Sequence, residues 1–190
     1  MTSLFFKIIF RLLASLPLNW LHGLGKLLGR IIFVLSKPYA ARTQENLRHA
    51  HLTANETHYS ALLNRTIAEA GKSIVELPWL WGRPLQQVCA QVLRCDGWEY
   101  VEAAQACGKG IIFLTPHWGC FEISCLYVGQ HLPLTCLYRP PKQGWLEKIM
   151  RLGRERGRAR LSPANVGGVR LLYKALTRTP AAPPLLGSAR

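Results

Sequence analysis

Two apolar blocks open the chain, each carrying basic residues at helical spacing. Leu4–Leu16 is interrupted by Lys7 and Arg11, which lie four apart and share one face of a helix. Pro17 breaks the block, and Trp20–Leu35 repeats the design with Lys26 and Arg30. Neither block offers a clean apolar run of about 18 residues, so a simple span is not the first reading. The pattern predicts amphipathic helices at a membrane interface, with cations among the headgroups. Snorkelling of Lys7 and Arg11 also permits oblique insertion of the first block. A pair of buried core helices is the competing reading. No small-x-small cleavage site closes the apolar run, which argues against a secretory signal.

Beyond the blocks the periodicity changes along the chain. Arg42–Arg48 reads as a helix start. Thr53, with Glu56 three residues on, reads as the cap of a helix running to Trp81, with Leu62, Leu63, Ile67, Ala70, Ile74 and Leu77 at helical spacing. Pro78 predicts a kink or stop near its end. Trp79 and Trp81 read as packing residues, against the core or the edge of a bilayer. Val92–Cys95 reads as a short strand, Asp96-Gly97 as a turn and Trp98–Ala106 as a helix. Gly110–Thr115 is short, apolar and rich in β-branched and aromatic residues, the pattern of an inner strand. Leu134–Tyr138 predicts another strand and residues 143–156 a helix. Asn165 offers a cap for a helix over Val166–Leu176. Strand, helix and strand in succession predict an α/β fold, a mostly parallel sheet flanked by helices.

The chain has 190 residues, enough for one domain with a real core, and nearly half are hydrophobic. Its formal charge of +14 suits anionic lipid, an acidic protein or nucleic acid. Residues 1–44 carry no acid, and Arg151–Arg160 holds five arginines and one glutamate. No helix-turn-helix, zinc ligand set or aromatic RNA-binding strand accompanies this charge, so no nucleic-acid partner is expected. The arginine run reads either as a solvated face or as an anion site. The six cysteines form no Cys-x-x-Cys pair, and Cys120 and Cys125 lack zinc spacing. A reducing compartment and no metal are the expectation.

The candidate chemistry sits where the apolar run meets Pro116-His117-Trp118-Gly119-Cys120-Phe121-Glu122. Pro116 cannot continue a central strand. His117 then falls at a strand's carboxyl end, where α/β sheets tend to place ligands. If residues 118–128 form a helix, Glu122 lies about one turn in and can fold back on the imidazole. The pair would make His117 a general base whose imidazolium is supported by a carboxylate. Gly119 would let a substrate or backbone approach closely. Taken alone, His-x4-Glu is also an ordinary pair of helix-start residues.

This block resembles the His-x4-acid motif of the glycerolipid acyltransferase superfamily. More narrowly, Thr115-Pro116-His117-Trp118-Gly119-Cys120-Phe121-Glu122 is similar to the lipid A biosynthesis lauroyl/myristoyl acyltransferases, as is Arg42-x-x-x-Asn46-Leu47. The resemblance implies a hydrophobic amino-terminal anchor at the cytoplasmic face of a bacterial inner membrane. It implies transfer of a fatty acyl chain from an acyl carrier protein thioester to a hydroxyl of a Kdo-lipid IV precursor, with His117 and Glu122 catalytic and no cofactor. The acidic carrier would dock on the Arg151–Arg160 run, for which anionic lipid is the rival explanation. Arg139 ends the strand Leu134–Tyr138, where a guanidinium suits phosphate or carboxylate groups on an acceptor. The resemblance links this Tyr-Arg block to acceptor binding; pairing of Arg139 with Glu147 is the structural alternative.

The rival functions are acylation of a glycerol-phosphate lipid, for which aspartate is the usual acid, and a non-enzymatic basic membrane-binding or nucleic-acid-binding module. Three segments are expected: 1–36 membrane-associating, 37–176 a partial acyltransferase domain, and 177–190 a Pro- and Ala-rich disordered tail unlike the family. That tail resembles an out-of-frame product of a GC-rich gene. The expectation is a truncated or frameshifted chain missing the C-terminal part of the fold, and an inactive remnant is one outcome.

Overall fold

The computed structural model describes residues 2–53, 55–108 and 110–177, the side chains of 2–7 excepted. Two compact units divide the chain after Arg83.

The first unit is helical: α1 (Thr2–Ser15), α2 (Leu18–Leu35), α3 (Lys37–His49) and α4 (Glu56–Gly82). Its core is the crossing of α2 on α4, where Leu21, Gly25 and Gly29 meet Ile67, Gly71 and Val75. Any side chain on Gly29 or Gly71 would strike the facing helix backbone, so the two helices approach as closely as glycine permits. His22 and Glu76 bridge the same pair at 2.8 Å.

The opposite face of α2 is apolar yet open: Trp20, Leu24, Leu27, Ile31 and Val34 recur every three or four residues and are exposed, beside exposed Lys26 and Arg30. Thus α2 packs one stripe against α4 and presents another, apolar one at the surface. By length and composition it is also long and apolar enough to cross a membrane.

Two helix boundaries differ from expectation. Residues 42–48 lie inside α3, whose start at Lys37 is set by Pro38 in its first turn. The side-chain cap of α4 is Asn55, whose Oδ1 accepts from the His58 amide at 2.9 Å. Pro78 sits inside α4, which continues to Gly82; buried Trp79 and Leu80 hold the last turn in place.

The second unit contains α5 (Leu85–Cys89), α6 (Trp98–Ala106), α7 (Glu122–His131), β1 (Leu134–Tyr138), α8 (Gly144–Arg154), β2 (Ala159–Pro163) and α9 (Val166–Thr177). The α/β reading holds in coarse form: helices predominate, and β1 and β2 pair in parallel across the α8 crossover. Leu134 faces Ala159 in register, and Tyr138 faces Pro163. Leu126, Leu132, Met150, Ala159 and Leu161 form the core around this β1–α8–β2 unit. The helices α6, α8 and α9 and strand β1 fall where periodicity placed them. Asn165 caps α9, its Oδ1 accepting from the Gly168 amide at 2.9 Å.

Two expected strands are not formed. Val92–Cys95 closes with turn bonds from α5 and leaves Leu93 exposed. Gly110–Thr115 pairs with neither β1 nor β2, and Ile112 and Leu114 are exposed. An apolar, β-branched run states that a segment suits a sheet, but a strand exists only where a neighbour supplies the ladder. The parallel pair instead uses β2, concealed in the sequence by Arg158 and Arg160. The expected tail reaches the described residues only at Thr177, which ends α9; residues 178–190 lie outside them.

Candidate functional site

Glu122 is the first residue of α7, so it lies one turn earlier in its helix than the spacing suggested. The chain reaches it through a turn at Trp118–Phe121 in which Gly119 takes φ +58°, a left-handed conformation that favours glycine. This, rather than approach of a ligand, is the conformational reason for Gly119. At the start of a helix the carboxylate also faces the positive end of the backbone dipole.

The Glu122 side chain is buried, and it is not alone. Arg154, the last residue of α8, donates from Nε to Oε2 at 2.7 Å and from Nη2 to Oε1, a two-pronged pair. Burial works against the Arg154 charge, but the hydrogen bond to Glu122 and its negative charge outweigh this and hold the guanidinium above its ordinary range. The cation is likewise placed to suit its own helix, at the negative end of α8. Sequence reading missed Arg154 because it lies 32 positions from Glu122 within an arginine run.

His117 is exposed, its ring tilted against Phe121 with centroids 4.3 Å apart. Among the described residues no hydrogen bond joins it to Glu122, both of whose oxygens face Arg154. The two sequence candidates are therefore neighbours along one turn, with the acid fixed and the imidazole free at the surface.

Arg139 is exposed just past the end of β1. Glu147, its alternative partner, instead accepts from the Tyr138 hydroxyl at 2.7 Å. Arg151 donates to the same hydroxyl at 3.0 Å and pairs with Glu155 at 2.6 Å. The hydrogen bond to Glu147, with burial, raises the Tyr138 pKa above its ordinary value. Tyr138 thus pins the end of β1 to α8 and leaves Arg139 facing solvent.

The arginine run is not one solvated face. Arg151, Arg154 and Arg156 are half-buried, whereas Arg158 and Arg160 are exposed. Burial lowers the Arg156 pKa. Within the run the last two arginines are exposed for an acidic partner, as are Arg170 and Lys174 on α9. No cluster of three or more His, Cys, Asp or Glu side chains is placed for a metal among the described residues.

A model of the bacterial lipid A biosynthesis acyltransferases matches residues 1–180, nearly the whole chain. The chain belongs to that family. Lipid A acyltransferases are acyl-transferring enzymes, and the matched span covers both the amino-terminal helices and the His117–Glu122 block of this chain. Membership separates this chain from the glycerol-phosphate alternative by acceptor class. No curated protein matches the chain.

Proposed function

We propose that this lipid A acyltransferase chain moves a fatty acyl group from an acyl carrier protein thioester to a hydroxyl of a Kdo-lipid IV precursor. His117 is the general base and Glu122 its acid partner. His117 Nε2 or Nδ1 removes the hydroxyl proton, and the oxygen attacks the thioester carbonyl. The tetrahedral oxyanion collapses with cleavage of the C–S bond, and the thiolate leaves with the proton carried by the imidazolium. A thioester is activated enough that the reaction needs no metal or cofactor.

The observation that carries this reading is the buried carboxylate at the first residue of α7, five positions after an exposed histidine and held by Arg154. An exposed ring is free to rotate toward the carboxylate when acceptor fills the turn; such bonds often tighten only once substrate is bound. Glu122 then balances the imidazolium, while Arg154 holds the carboxylate in place. Arg139, unengaged by Glu147, faces the acceptor's phosphates.

The chain works at the cytoplasmic face of the inner membrane. The open stripe of α2 (Trp20, Leu24, Leu27, Ile31, Val34) enters the interface, with Lys26 and Arg30 beside it against anionic headgroups. The carrier protein docks on Arg158, Arg160 and the basic face of α9.

The test is acyl transfer from radiolabelled acyl carrier protein to Kdo-lipid IV, comparing the parent chain with His117→Ala. The base reading requires a loss on the order of 10²–10⁴-fold with thermal stability unchanged, since the ring is exposed. Equal activity of the two chains would remove His117 from the mechanism. A parent chain that binds anionic vesicles but transfers nothing would leave the membrane-binding reading in its place.

A further inference from the structure

Cys125 and Cys136 are eleven positions apart in sequence, yet their sulfurs lie 3.1 Å from each other, half-buried between α7 and β1. Cys125 is one turn past Glu122 on the helix that carries it. Cys136 is the middle residue of the strand that leads to Arg139. We propose that these two thiols form an oxidisable pair, a modification site at which a hydroperoxide converts Cys125 and Cys136 into a disulfide that ties α7 to β1.

The chemistry balances with the peroxide as oxidant. The thiolate of Cys136 attacks the O–O bond, becoming a sulfenic acid and releasing hydroxide. The sulfur of Cys125 then displaces the hydroxyl from Cys136, so that the S–S bond forms as the S–O bond breaks. Two thiols and one hydrogen peroxide become one disulfide and two waters. The roles are set by surroundings. The hydrogen bond between the two sulfurs, with Arg154 nearby, pulls the Cys136 thiol below its ordinary value, and the same bond, with burial, pushes Cys125 up. A disulfide needs its sulfurs at about 2.05 Å, so the pair must close by roughly one ångström. The product would fix the helix bearing the acid to the strand bearing the acceptor arginine, making the spacing between Glu122 and Arg139 dependent on oxidation.

The experiment treats the full chain with graded hydrogen peroxide, blocks free thiols with iodoacetamide and digests with chymotrypsin under non-reducing conditions. Chymotrypsin cuts after Tyr127, between the two cysteines, so mass spectrometry reads the pairing directly and independently of acyl transfer. The expected result is a Cys125–Cys136 linkage that predominates over other pairings, reverses with dithiothreitol, vanishes in Cys136→Ser and loses its preference in guanidinium. Exposed Cys95 and Cys107 serve as internal references. The proposal fails if Cys125 and Cys136 stay alkylatable after those two are consumed. It fails equally if either sulfur pairs with Cys120 instead, or if the preference survives unfolding.

Discussion

The two units are held together by different means. In the first, Gly25, Gly29 and Gly71 let α2 and α4 meet backbone to backbone, and the His22–Glu76 bridge crosses that contact. In the second, buried and half-buried polar side chains join the elements: Glu122 to Arg154, and Tyr138 to Glu147 and Arg151. Close packing of small residues is tolerant of what lies on the other side of the helix, so α2 is free to present an apolar stripe. Directional charge pairs fix angles as well as distances. They occur in the unit that carries the candidate chemistry, where a carboxylate has to be aimed.

The largest effect is expected from removing one member of the Glu122–Arg154 pair. Arg154→Ala leaves a buried carboxylate without its cation and should cost about 3–5 kcal/mol, measured by chemical denaturation. Arg154→Met, which fills the space without the charge, should cost as much, because the orphaned Glu122 and not the cavity is the penalty. If the methionine variant is as stable as the parent, the pair is not what holds α7 to α8.

In the first unit Gly71→Ala should cost roughly 1–3 kcal/mol by forcing α4 away from α2, where an added methyl meets the backbone of Gly25 and Gly29. A stabilised Gly71→Ala variant, the usual outcome at an open helix position, would show that the crossing is loose. Asn165→Ala should cost about 1 kcal/mol by uncapping α9. Helicity by circular dichroism should fall slightly, and an unchanged melt would mean that packing alone sets that boundary.

The smallest effect concerns pH. Tyr138 has its pKa raised in the folded state, so the folded chain keeps this proton after the unfolded chain has lost it. The contribution is present below the ordinary tyrosine value near 10 and is lost as pH rises from there through the folded value. Tyr138→Phe should flatten the alkaline part of the stability profile. An identical slope in the two chains would show that the Glu147 bond does not govern it.

Local pattern was enough wherever an element is specified by its own residues. The helices α6, α8 and α9 and the cap at Asn165 could be read from spacing alone. So could β1. What pattern cannot supply is the neighbour. Gly110–Thr115 has the composition of an inner strand and no ladder, whereas Ala159–Pro163 has an unpromising composition and pairs in full register with β1. The site divides in the same way. His117 and Glu122 were visible as a short-range motif, and Arg139 as a strand-end cation. The partner of the acid was not, because its charge was indistinguishable from four other arginines until the fold brought one of them 32 positions back.

The ion pair also has a direction. Glu122 opens α7 and Arg154 closes α8, so each charge offsets the partial charge of the helix end that bears it. Exchanging the two residues would preserve their mutual attraction while setting both against their own helices. The bridge therefore behaves as a polarised joint: its sign is written into the order in which the chain starts one rod and finishes the next.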